Sequence, residues 1–218
     1  MSEGKTSESL RPTNPNREGS LQTIRIGRRL TVVPAGLDPL LDAQLIPIRI
    51  DAGTAFGNGA HPTTQLCLQS LERHLVPGTS LLDLGTGTGI LSIAAAKLGA
   101  GPILALDIDP EAVRVVRENV ALNQVAEKIR VEQGSLAQAL SGEFGFARAP
   151  LVVANILAGV IGEFFEQGLT RVLTPGGWLI LSGILRTQTP EIRARLQWHG
   201  LEQLAEEELD EWVCIIAR

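Results

Sequence analysis

Two cysteines in 218 residues, Cys67 and Cys214, are too few for a disulfide scaffold, and their separation matches neither a zinc-binding spacing nor a redox pair. Their scarcity points to a reducing, cytoplasmic setting and to no metal site. No apolar run approaches the roughly 18–20 residues of a membrane span, and the opening MSEGKTSESL has no apolar signal core, so the sequence predicts neither a membrane contact nor a secretory leader. An excess of positive charge is also missing. With 19 basic and 24 acidic residues the net charge is −5, which removes the electrostatic footprint of a nucleic-acid binder. What remains is a composition with 44% hydrophobic and 20% charged residues, 23 glycines and 12 prolines, which excludes collagen-like, coiled-coil and disordered classes and fits one folded domain. The charge is uneven: residues 1–50 carry a net +2 and residues 51–218 a net −7. An acidic body suits a basic macromolecular substrate, but a solvated surface tuned for solubility is the preferred reading.

Residues 1–20 are rich in Ser, Pro, Asn, Gly and charge and hold almost nothing to bury, so a disordered tail is expected there. Residues 21–50 read as a short extended segment: 23–26 and 30–34 alternate well enough for a hairpin turning at Gly27, and 46–50 is a third strand. From residue 80 onward apolar runs alternate with helical patterns: strands at 80–84, 103–108, 129–132, 151–154 and 178–181, with helices at 90–98, 110–122, 159–172 and 190–198. That alternation predicts an α/β, doubly wound, mostly parallel sheet. At the carboxyl end, 201–204 and 212–217 are joined by a short acidic link and should form an antiparallel hairpin. Glu206, Glu207, Glu208, Asp210 and Glu211 read as a solvated turn, His74 and His199 as solvated helix ends, and Trp178, Trp198 and Trp212 as core.

Asp83-Leu84-Gly85-Thr86-Gly87-Thr88-Gly89 ends the first strand of that sheet and opens the next helix. In such folds this crevice takes ligands, because glycines allow close backbone approach and the helix start offers unpaired N–H groups. The dinucleotide fingerprint needs a sixth-place glycine, and counting from Gly85 that place is Ile90. Gly-x-Gly-x-Gly with Asp at minus two is instead the pattern of class I S-adenosylmethionine (AdoMet) methyltransferases, which have a Rossmann-like fold. Asp107 ends the second strand, where an acid can accept from both ribose hydroxyls. Asp109-Pro110 reads as the cap and first residue of the following helix.

The glycine-rich run from Asp51 to Thr64 ends at Pro62, a natural first residue for a helix carrying Leu66, Cys67, Leu71 and Leu75. It resembles the loop of the PrmA family, which methylates amino groups of ribosomal protein L11. Ten positions match: Asp51, Gly53, Ala55, Phe56, Gly57, Gly59, His61, Pro62, Thr63 and Thr64. Ala52 and Asn58 depart from it, standing where the family has proline and threonine. The resemblance continues through Asp107-Ile108-Asp109-Pro110, Asn155-Ile156-Leu157-Ala158-Gly159, Leu181-Ser182-Gly183 and Glu211-Trp212, and so covers about residues 46–218. The separate amino-terminal recognition domain of that family has no counterpart in the basic stretch at the front.

The resemblance implies an AdoMet-dependent methyltransferase domain over residues 51–218. It assigns cofactor contacts to Thr64, Asp83, Gly85, Gly87, Gly89, Asp107 and Asn155. Phe56 either covers the adenosine or methyl channel or packs in the core. His61 reads as a helix cap in preference to a catalytic group. Asn155, at the end of an apolar strand, is the catalytic candidate: its amide can align a neutral amine, and no stacking aromatic follows it to support a planar base. The implied partner is a protein substrate, ribosomal protein L11 or, as in the similar mitochondrial flavoprotein-subunit lysine methyltransferases, a lysine of another protein. A non-catalytic AdoMet-binding module is the reading outside the enzyme class, and the presence of Asn155 and the Phe56 loop argues against it.

Overall fold

The computed structural model describes residues 22–51, 53 and 55–218; the tail expected over 1–20 lies outside them, as do Leu21, Ala52 and Thr54. The hairpin at Gly27 forms as read from the sequence, with β1 (Ile24–Ile26) antiparallel to β2 (Leu30–Pro34), while β3 (Ile46–Ile50) joins β2 in parallel. This small sheet is fixed to the body. Ile26, Leu30, Val32, Ile48 and Ile50 are buried in the same apolar cluster as the first helices.

Polar contacts hold it in register. Glu72 of α1 (Pro62–His74) accepts the backbone N–H groups of Arg28 and Arg29 at 2.7 and 2.6 Å. On α3 (Pro110–Leu122), Asn119 accepts from Asp51 N and donates to Asp51 O. Asn123, one turn later at the carboxyl cap of α3, does the same for Arg49. One helical turn rises about 5.4 Å and two strand residues about 6.6 Å, so two carboxamides four apart on a helix can serve alternate residues of a strand edge.

The main sheet has the order β6-β5-β4-β7-β8-β10-β9. Its parallel part comprises β4 (Leu81–Leu84), β5 (Ile103–Asp107), β6 (Ile129–Gln133), β7 (Ala149–Asn155) and β8 (Leu173–Leu185). β9 (Gln203–Leu209) and β10 (Trp212–Ala217) close it as the antiparallel hairpin expected from the sequence. Alternate residues of the strands face two apolar layers: Leu81, Ile103, Leu151 and Ile180 meet α1, α2 (Ile90–Lys97) and α3, whereas Leu82, Leu104, Val152 and Leu179 meet α4 (Leu136–Ser141), α5 (Ala158–Gln167) and α6 (Thr189–Trp198). The chain runs outward from β4 to β6 and then returns to β7 on the other side of β4, which opens a crevice at the carboxyl ends of β4 and β7.

Several expectations are corrected. The helix read over 159–172 stops at Gly168 and resumes as a single 3-10 turn, Leu169–Val172. α4 had no counterpart in the sequence reading. Glu206, Glu207 and Glu208 belong to β9, where Arg193, Arg73 and Arg186 pair with them; only Asp210 and Glu211 form the turn. Trp198 is 86% exposed, because Ile192 and Leu196 define the buried face of α6 and Trp198 lies about 140° round the helix from it. His74 stacks on Trp178 and His199 on Phe165, so both rings cover aromatic surface. For His74 the resulting burial lowers its pKa. Among the described residues no helix is long and apolar enough to cross a membrane, and no group of three or more His, Cys, Asp or Glu side chains could hold a metal.

Candidate active site

A cavity of about 730 Å³ occupies the crevice, lined by residues 55–57, by His61, Thr63 and Thr64, and by the glycine loop, the ends of β5 and β7, the start of α5, and Trp212. It joins Phe56, Thr64, Gly85, Gly87, Asp107 and Asn155, six of the residues singled out from the sequence. Asp83 and Gly89 do not line it. Gly89 caps α2, and a Cβ there would come within 2.7 Å of Val116 on α3, so its smallness serves helix packing. Asp83 is fully buried beneath the loop, where its Oδ2 accepts the hydroxyls of Thr86 (2.8 Å) and Ser92 (2.7 Å). Its Oδ1 has no partner among the described residues, and burial pushes the carboxyl up to about 6.

The glycine loop and the upstream loop brace each other. Thr88 N donates to Phe56 O at 3.0 Å and Thr88 Oγ1 to Gly57 O at 2.6 Å, while Asn119 Nδ2 also reaches Thr88 O. Gly87 sits at the crossing with φ +58°, and a Cβ there would lie 2.5 Å from the Phe56 carbonyl, so a side chain would push the two loops apart. Its N–H donates to Asp107 Oδ2 at 2.9 Å, and Asp109 N to Asp107 Oδ1 at 3.1 Å. The carboxylate at the end of β5 is thereby fixed in orientation, with lone pairs left on each oxygen for a ligand. Asp109 caps α3 by accepting from Glu111 N, as its place before Pro110 suggested.

His61 is the amino-terminal cap of α1: its Nδ1 accepts from Thr63 N at 3.3 Å. The ring lies edge-on between Phe56 (5.1 Å) and Trp212 (4.9 Å), and these three rings form one wall of the cavity. Phe56 is 53% exposed, which settles its position at the mouth and not in the core. Trp212 belongs to this wall as well, a role its apolar strand pattern concealed. Asn155 Nδ2 donates to the buried Thr64 Oγ1 at 3.4 Å, leaving Asn155 Oδ1 enclosed and without a donor among the described residues. A buried carbonyl oxygen without a donor costs about 1–3 kcal/mol, so this atom favours a ligand that brings an N–H.

Among the described residues the wall contains the carboxylates Asp107, Asp109 and Glu163 and no lysine or arginine. Such a lining disfavours a pyrophosphate and suits a ligand carrying positive charge. The glycine loop, the acid at the end of β5, the order of the parallel strands and the antiparallel β10 define a Rossmann-like fold of the class I methyltransferase kind.

The chain belongs to the ribosomal protein L11 methyltransferase (PrmA) family, whose profile matches residues 15–218. It is 43% identical over 214 residues to a ribosomal protein L11 methyltransferase of Chloroflexus aurantiacus, covering 89% of this chain and 65% of the relative. With a protein of the same name from Pelotomaculum thermopropionicum it shares 44% identity over 195 residues, covering 89% and 61%. It therefore spans somewhat under two thirds of the length of these curated relatives. Among solved structures, a ribosomal protein L11 methylase from Lactobacillus delbrueckii subsp. bulgaricus superposes with a TM-score of 0.79 at 35% identity, covering 90% of this chain and 97% of that one.

Proposed function

We propose that this chain is an S-adenosylmethionine-dependent protein methyltransferase of the cytoplasm that acts on amino groups, with ribosomal protein L11 as its substrate. The observation that carries the reading is Asn155 Oδ1, a buried acceptor with no donor among the described residues, on a side chain of a cavity whose described lining holds no lysine or arginine. AdoMet fits the residues present. Asp107 would hold the ribose hydroxyls, Gly85 and Gly87 would pass backbone close to the amino-acid part, and the acidic wall suits a cationic ligand. When bound, AdoMet supplies an electrophilic methyl group on a sulfonium.

The protein's own work is positioning. Asn155 Oδ1 accepts one N–H of a neutral acceptor amine and so turns its lone pair in a fixed direction, while Thr64 holds the Asn155 amide in place. Phe56, His61 and Trp212 wall that space with apolar surface that excludes water. The same pair of features supports an enzyme over a module that only binds cofactor, since such a module has no use for a group that orients an amine.

Incubation of the chain with methyl-labelled AdoMet and purified ribosomal protein L11 should place label on amino groups of that protein. Label in a different protein of a methylation-deficient lysate, with none in L11, would move the substrate; label in no protein would overturn the enzymatic reading. Asp107→Ala should weaken binding of S-adenosylhomocysteine by about 1.5–3 kcal/mol, a loss of one or two charge-assisted hydrogen bonds. Titration calorimetry checks it, and unchanged affinity would place the ribose elsewhere.

A further inference from the structure

Asp83 is the buried group that the proposed chemistry leaves unused. It is enclosed under the loop that forms the cavity floor, with Oδ2 taken by two hydroxyls and Oδ1 facing no donor. A buried carboxylate so incompletely paired favours its neutral form. The neighbouring elements do not relieve it. β5 contributes Asp107, another negative charge, and β7 between Leu151 and Asn155 has no titratable group. From α1 comes the thiol of Cys67, itself buried beside Cys214 and held well above its ordinary pKa. α2 contributes the Ser92 hydroxyl, with Lys97 five residues further along.

The nearest place for a compensating positive charge is therefore the cavity itself, above Gly85 and Thr86. We propose that entry of a cationic amino-acid ligand drives a proton from Asp83 into solvent, so that binding at this site is linked to pH through a carboxyl that does not line the cavity. The proposal rests on the AdoMet reading above. In the step, the O–H bond of the Asp83 carboxyl breaks, its electron pair stays on the carboxylate, and the proton passes to buffer. No electrons are transferred. Burial places the free-state carboxyl at about 6, with the Thr86 and Ser92 hydroxyls opposing the rise. A positive ligand lowers it, so below pH 6 binding must expel a proton and affinity falls as pH falls.

Calorimetric titration of the full chain with S-adenosylmethionine, with no acceptor present, in pairs of buffers of different ionisation enthalpy, reads the proton directly. At pH 5.5 more than about half a proton should be released per ligand, at pH 7.5 almost none, and the dissociation constant should rise about tenfold from pH 7 to pH 5. Asp83→Asn should bind with little pH dependence across that range. Asp107→Asn, which binds more weakly but keeps Asp83, should retain the release. Binding of S-adenosylmethionine without buffer-dependent heat at pH 5.5 overturns the linkage and leaves the cofactor reading intact. A release that survives in Asp83→Asn assigns it to another group and also overturns the proposal. Failure of S-adenosylmethionine to bind at either pH sinks the cofactor reading, and the linkage with it. If Asp83→Asn does not fold, the buffer-pair measurement on the unaltered chain and on Asp107→Asn still decides.

Discussion

Asn155→Ala should lower kcat on the order of a hundredfold or more while changing the dissociation constant for S-adenosylhomocysteine only a few-fold. The asymmetry follows from where the contacts fall. On the proposed reading, cofactor contacts would be spread over the glycine loop, Asp107 and the wall of the cavity, so losing one amide would remove a small share of ground-state binding. In the proposed mechanism, orientation of the acceptor lone pair depends on a single oxygen, and a misplacement of about 1 Å in a reacting group can cost on the order of 10²-fold. The substitution also removes a buried acceptor that lacked a donor, so the fold should lose little stability. Single-turnover rates at saturating cofactor and L11 test the split. Recovery of the whole defect by saturating AdoMet would make Asn155 a cofactor contact, and near-normal turnover would remove it from the mechanism.

The largest loss of stability is expected from Gly183→Ala. Gly183 has φ +84° and lies at the irregularity where β8 changes register against β10, between the Leu181–Ile215 and Ile184–Val213 pairs. A Cβ there would press into the carbonyl of Ile156, a backbone atom that cannot swing aside as a side chain can. Left-handed backbone in a residue with a side chain and the displaced peptide together should cost about 2–4 kcal/mol. For a domain of this size that lowers Tm on the order of 5–15 °C. Ile156, whose carbonyl would be displaced, follows Asn155 directly, so turnover should fall in the fraction that remains folded. A thermal scan decides the first point; a Tm within 2 °C or so of the parent chain would mean the peptide after β7 yields more easily than its packing suggests.

Boundaries set by local chemistry were legible in the sequence. Asp109-Pro110 fixed the start of α3 and Pro62 that of α1, because capping and a preset φ act within a residue or two. Features set by distant partners were not. The acidic stretch at 206–208 reads as a solvated turn until Arg73, Arg186 and Arg193, from three other elements, are seen beside it. In the site, Gly85, Gly87 and Asp107 followed from their places at strand ends, whereas Asp83 and Gly89 share the motif but face the interior. Trp212 joins the cavity wall because β10 lies next to β8 and near the start of α1, a relation between segments far apart in the chain.

The paired carboxamides of Asn119 and Asn123 have a consequence for how copies of the chain meet. β3 is the last strand of its small sheet, and an uncovered row of backbone donors and acceptors is a template on which a strand from another molecule can add. Here the positions that would recruit an intruder, at Arg49 and Asp51, are already filled by side chains from α3. The sheet is thus closed to edge-to-edge growth on that side by two asparagines, at the cost of no additional strand.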